Sequence, residues 1–236
     1  GNAGGESLTT ISTALSLPKS TTYRVLTELT GAGYLTLDRP SGRYSLGPRL
    51  LSLGHAVRQQ SGILKVAHPH MHTLAQELGE TTKLSVMQER EAIVLFYVKG
   101  GRRMQITTDT GNRFPLHAGA ASKVLLATLT DEHVLQYAES GLKRFTAATI
   151  TDPHEVLNVA RRVRVDGYAR DDQEYMQGVA AVAVPLQDYT GKTIAALSVT
   201  FFASDDNSPK VNRILPPLRE TARAISSDLG FFDSGE

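Results

Sequence analysis

The segment LSLPKSTTYRVLTELTGAGYL, residues 15–35, limits the possible folds more than any other stretch of the chain. Ser16-Leu17-Pro18 makes a tight break, because a proline disfavours helix at the residue before it. Ahead of the break, Ser7 offers an N-cap to a helix with Leu8, Ile11 and Leu15 on one face. Beyond it, the spacing predicts a helix over Lys19–Thr30, with Thr22, Val25, Leu26 and Leu29 turned inward and Gly31 and Gly33 as its stop. GYLTLDRPSGRYSLG then alternates Leu35 and Leu37 with Thr36 and Asp38, turns at Pro40-Ser41-Gly42, and resumes with Tyr44 and Leu46. Two short helices, a tight turn and a hairpin make a winged helix-turn-helix. Such a module ordinarily has a further helix in front. GNAGGES is too short to supply one, so either the chain is truncated at its start or the module is incomplete.

The outward face of the second helix carries Lys19, Ser20, Thr21, Tyr23, Arg24 and Thr27, with Glu28 the only acid. Hydroxyls and lysine suit phosphates, and arginine grips guanine through two hydrogen bonds. Arg39 and Arg43 flank the hairpin tip, where they can reach backbone or minor groove. Net charge over all 236 residues is only +1. Residues 1–60, however, hold six Lys/Arg against three acids, and the remainder 19 against 21. The basic excess sits where a polyanion would be met.

Composition narrows the classes further. At 41% hydrophobic and 21% charged, the chain can build one large domain or two ordinary ones and is not a disordered sequence. No run approaches the ~20 apolar residues of a membrane helix, and GNAGGES has no signal-peptide core. The absence of cysteine excludes disulfides, thiol catalysis and Cys-based zinc sites, and fits a reducing cytoplasm.

PRLLSLGHAVRQQSG, residues 48–62, reads as a connecting helix. From Ile63 the pattern changes. Ile63, Val66, Met71, Leu74 and Leu78 make a helical stripe ending at Gly79. TTKLSVMQ and AIVLFYV are predicted strands, and RMQITTDT a third. Helices are predicted at Ala120–Ala127, from Asp131, and from Asp152 to before Gly167. VAAVAVPLQD and TIAALSVTFF form an apolar hairpin central to a sheet, and a last helix carries Leu218, Ala222, Ile225 and Leu229, its start limited by Pro216-Pro217.

LSLPKSTTYRVLTELTGAGYL, GRYSLGPRLLSLG, PLHAGAASKVLLA and GYARDDQEYMQGVAAVAVPL resemble, in that order, the signature segments of the IclR (isocitrate lyase regulator) family of bacterial transcriptional regulators. The likeness covers nearly the whole chain. It implies an α/β (α+β) architecture: a winged helix-turn-helix at residues 1–47, a linker helix at 48–62, and a GAF-like effector-binding domain at 63–236. It implies a cytoplasmic regulator, most often a repressor, that binds a pseudo-palindromic double-stranded operator as a homodimer or homotetramer.

The resemblance also points to an effector pocket. FPLHAGAASKVLLA leads small residues into a helix, so backbone N–H groups can approach an anion closely. By resemblance Ala120 and Ala121 donate those groups, and Ser122 stands where the family usually has glycine. No phosphate loop is present: its glycines are absent and Val124 follows Lys123. Asp171, Ala181, Ser198 and Thr200 match further pocket positions. Ser198 and Thr200, two apart on one strand, point to one face. Inward hydroxyls in so apolar a strand need partners: a polar ligand, or local backbone. Read without the resemblance, Asp171, Asp172 and Glu174 are equally a solvated loop. Ala181 replaces a frequent cysteine, which suggests an effector larger or more apolar than a two- or three-carbon acid. A small carboxylate-bearing metabolite is expected, with no cofactor, metal or membrane partner.

Other signals carry less. His68 and His72 have the i, i+4 spacing of a metal pair, but no third ligand is apparent and Pro69 places His68 at a helix edge. His117 reads as a hydrogen-bonded structural histidine. No GxSxG, HExxH or GxGxxG signature supports an enzyme. The alternative is a GAF-like ligand-binding module whose winged region only dimerises.

Overall fold

The computed structural model describes residues 5–53 and 62–231. The chain divides into two compact units between Ser61 and Gly62.

The first unit runs β1 (Glu6–Ser7), α1 (Leu8–Ala14), α2 (Lys19–Gly31), β2 (Leu35–Asp38) and β3 (Arg43–Leu46), and residues 49–53 are again helical. Ser7 caps α1 by accepting from the Thr10 N–H at 3.1 Å. The corner between the helices is tied by buried hydroxyls. Ser12 Oγ donates to Leu17 O at 2.7 Å and Thr22 Oγ1 to Pro18 O at 3.1 Å. The wing pairs Leu35 with Leu46 and Asp38 with Arg43, and β1 adds to β3 in the order β1-β3-β2. At two residues, β1 is too short to show an alternating pattern. Gly47 N donates to Tyr34 O at 2.7 Å, and a Cβ on Gly47 would lie 2.3 Å from Gly33 O, so the wing can return against α2 only through glycine. Arg49 stacks 5.1 Å from the Tyr34 ring centroid and donates to Ala32 O, closing the end of α2.

The expected inward stripes are narrower here. Thr22 and Leu26 are buried, but Val25 and Leu29 are exposed, as is Leu15. A helix needs a neighbour on each side to bury a wide stripe. Among the described residues of this unit, α2 meets mainly α1 and β2. The linker reading falls mostly on residues 54–61, outside the described residues.

The second unit contains α3 (Gly62–Leu78), β4 (Thr81–Gln88), β5 (Glu91–Val98), β6 (Arg113–Pro115), α4 (Ala120–Leu126), α5 (Asp131–Glu139), α6 (Pro153–Asp166), β7 (Ala169–Asp172), β8 (Val179–Gln187), β9 (Thr193–Phe202) and α7 (Ser208–Asp228). Its strands form one antiparallel sheet in the order β6-β5-β4-β9-β8-β7, so the apolar hairpin is central as its sequence predicts. On one face α3 and α7 cover Val182, Val184, Leu197, Val199 and Phe201. On the other, α4, α5 and α6 cover Ala169, Ala181, Ala183 and Ala196. Asp152 caps α6 by accepting from the Glu155 N–H at 2.9 Å, and Gly167 ends it in the left-handed conformation.

Three local predictions fail for identifiable reasons. Residues 103–110 are not a strand. Val94 N–H bonds Asn112 O and Gly111 N–H bonds Val94 O, so β5 spends its edge on residues 111–115 and leaves 103–110 unpaired. α7 continues through Pro216-Pro217. Val211, Ile214, Leu218 and Ile225 are buried on both sides of the prolines. Their burial contributes about 1.5–3 kcal/mol each, against a cost of about 3 kcal/mol per interior proline. Pro69 likewise lies inside α3 rather than near its start.

Candidate functional site

The two candidate sites lie in different units. In the first, Lys19, Ser20, Tyr23, Arg24 and Thr27 are exposed along α2, and Thr21 is half-buried. Thr27 Oγ1 donates to Tyr23 O at 2.9 Å, so its proton is committed to the helix. Arg39 is exposed at the wing tip. Arg43 is exposed too, but its Nη1 donates to Gly5 O at 2.8 Å, so it braces β1 while facing outward.

The second site is a cavity of about 220 Å³ between the alanine-rich sheet face and the start of α4. Antiparallel register builds its floor. Asp171 pairs with Ala181 and Ala181 with Thr200; one row over, Ala183 pairs with Ser198 and Ser198 with Lys83. Alternate residues share a face, so the register gathers Asp171, Ala181, Ser198 and Thr200 from three strands. Ala120 and Ala121 line the same cavity. All six residues matched by the resemblance are therefore brought together. Gly119, at φ +101, starts α4 without a side-chain cap. The first amides of a helix have no acceptor within it, and those of Ala120 and Ala121 belong to residues that line the cavity.

Two hydroxyls decide between the readings of the floor. Ser198 and Thr200 are buried, and neither Ser198 Oγ nor Thr200 Oγ1 has a hydrogen-bond partner among the described residues. Local backbone bonding is thus not what satisfies them.

The acids at 171–174 are not a solvated loop. Asp171 and Glu174 are buried. Asp171 Oδ1 accepts from the Glu174 N–H at 2.8 Å, and burial raises its pKa against the opposing pull of Lys123 and the backbone N–H groups. Lys123 of α4 forms a buried ion pair with Glu174. Thr149 Oγ1 and Thr146 Oγ1 donate to Glu174 O and Gln173 O at 2.6 and 2.7 Å. These bonds hold the segment that carries Tyr175 and Met176 into the cavity wall. Tyr175 packs edge-on against Phe114 and tilted against Phe145, both at 4.9 Å. Behind them, His117 Nδ1 lies 3.0 Å from Tyr137 Oη and Nε2 3.0 Å from Lys143 O. Burial lowers the His117 pKa. It is a structural histidine behind the wall, hydrogen-bonded as its sequence setting predicts.

Sequence reasoning missed several lining residues, among them Lys83, Ser85, Asn112 and Phe114. The signal for two was present. TTKLSVMQ alternates, which sets Lys83 and Ser85 on the face opposite Leu84. Elsewhere, His68 packs against Phe96 at 5.0 Å and His70 bonds Asp228 at 2.8 Å. Among the described residues no three His, Asp or Glu side chains gather as a metal site, and no helix is long and apolar enough to cross a membrane.

A winged helix-turn-helix joined to a domain with a part-polar internal cavity defines a ligand-responsive, DNA-binding transcriptional regulator. The chain belongs to the IclR family. Residues 1–39 match the IclR helix-turn-helix domain, and residues 55–227 match the bacterial transcriptional regulator IclR C-terminal domain. It is 32% identical over 230 residues to the HTH-type transcriptional repressor AllR of Salmonella typhi, covering 97% of this chain and 85% of that one. Among solved structures, an IclR transcriptional regulator from Alicyclobacillus acidocaldarius is 30% identical with a TM-score of 0.87, covering 95% of this chain and 91% of that one. An IclR homologue from Microbacterium hydrocarbonoxydans, complexed with 4-hydroxybenzoate, is 28% identical with a TM-score of 0.82, at 95% and 91% coverage.

Proposed function

We propose that this protein is a cytoplasmic repressor that binds a pseudo-palindromic operator as a homodimer or homotetramer and responds to a small organic acid. Lys19, Ser20, Thr21, Tyr23, Arg24 and Thr27 form the groove-facing surface, with Arg39 and Arg43 at the wing. Ala120, Ala121, Asp171, Ala181, Ser198 and Thr200 form the effector site. One observation carries the ligand half: two buried hydroxyls in the cavity floor have no hydrogen-bond partner among the described residues. An unsatisfied buried hydroxyl costs about 1–3 kcal/mol, and a polar ligand removes that cost. The cavity is smaller than the ~300–1,000 Å³ of drug-sized sites, so a compact metabolite fits. The acid enters by the α4 amides and by the neighbouring regulator whose complex holds 4-hydroxybenzoate. The effector acts by binding one arrangement of the regulator more tightly than the other.

Selection of a random-sequence duplex pool on the full chain tests both halves at once. The wild type enriches a two-fold symmetric site whose affinity falls steeply with salt, and a small acid releases it. Arg24→Ala loses about 1–3 kcal/mol of sequence discrimination. The Ser198→Ala/Thr200→Ala variant keeps operator binding and loses release. Failure of the wild type to enrich any sequence ends the DNA assignment; unchanged release from the double variant ends the site assignment.

A further inference from the structure

Lys83 lies mid-strand in β4 and lines the cavity, with its Nζ 5.5 Å from the centroid of Phe114, another wall residue. We infer that Lys83 is the specificity-determining residue of this cavity, pairing its ammonium with the single carboxylate of a compact, largely apolar monocarboxylic acid. The inference rests on the reading of the cavity as the effector site and names the ligand class that site selects.

Among the described residues, Lys83 makes no hydrogen bond or ion pair, whereas the nearby Lys123 is engaged by Glu174. Lys83 and Ser198 are direct cross-strand partners and both line the cavity, so an ammonium with no ion pair and a hydroxyl with no hydrogen-bond partner among the described residues open on the same space. Three ammonium protons and one hydroxyl proton suit the two oxygens of a carboxylate. Asp171 does not compete for this role. Its carboxyl already accepts the Glu174 and Tyr175 backbone N–H groups, and its charge repels a second carboxylate. Burial lowers the Lys83 pKa to about 8, opposed by Asp171, so the side chain is still mainly protonated at neutral pH. A half-buried, partly desolvated ammonium that forms no ion pair weakens the fold. Such a group marks a functional site where a charged ligand is its missing partner. Val94, Ile106, Phe114 and Met176 leave apolar wall for the body of the ligand.

Binding of benzoate, phenylacetate and isovalerate, each beside its primary amide, tests this on the full chain, Lys83→Met and Lys83→Arg by thermal shift and titration calorimetry. The wild type is expected to bind acids at least tenfold more tightly than amides. Lys83→Met loses that discrimination while melting no lower than the wild type without ligand, and Lys83→Arg restores part of it. Acids bound equally by Lys83→Met and wild type overturn the role of Lys83 and leave the acid-effector reading standing. Amides bound by the wild type as tightly as acids, or no member of the panel bound, overturn both.

Discussion

On the sheet face toward α3 and α7, β8 and β9 present Val182, Val184, Leu197, Val199 and Phe201, all buried. On the opposite face the same two strands present Ala181, Ala183, Ala196, Ser198 and Thr200, which are also buried. Both faces exclude water, so burial does not distinguish them. Side-chain size does. The first face fills its layer and serves stability. The second holds small residues that leave volume beside α4, and its Ser198 and Thr200 hydroxyls have no hydrogen-bond partner among the described residues. A ligand site thus results from pairing a packed face with an underfilled one on the same backbone.

The largest expected effect breaks the packed face. Phe201→Ala should destabilise the second unit by about 3–5 kcal/mol in denaturant unfolding and leave the cavity lining in place. Ala181→Leu fills the underfilled face instead. It should change stability by less than about 1–2 kcal/mol and abolish ligand-dependent stabilisation in a thermal-shift titration. Destabilisation as large as that of Phe201→Ala would show that the second face has no space to give. The smallest effect is one of pH. Burial depresses the folded pKa of His117 below the value near 6.5 of an unfolded chain. The unfolded state therefore takes up the proton first. The His117 contribution is present above about pH 6.5 and is lost as pH falls through and below it. Stability of the wild type minus that of His117→Gln, followed from pH 8 to 5, isolates this term from the buried acids.

Much of this architecture was legible because it depends on neighbours in sequence. Ser7 and Asp152 are caps, Pro18 a break, Gly167 a stop, and the hairpin around Tyr189-Thr190-Gly191 a strongly apolar pair. The failures share a different cause. Whether 103–110 pairs depends on which residues occupy the β5 edge, and whether α7 survives two prolines depends on the core beneath it. Lys83 is two residues from Ser85 in sequence but acquires its meaning across the sheet, from Ser198.

Local chemistry alone set the helix-turn-helix, the wing, the caps and the outward cluster from Lys19 to Thr27, because hydrogen bonds and periodicities a few residues long decide them. Tertiary structure decided that Lys83 joins Asp171, Ala181, Ser198 and Thr200, the pocket positions the resemblance implied, in one cavity, and that among the described residues two hydroxyls there have no hydrogen-bond partner and the ammonium no ion pair. Strand register and layer packing join residues more than a hundred positions apart, and no local pattern encodes such a distance.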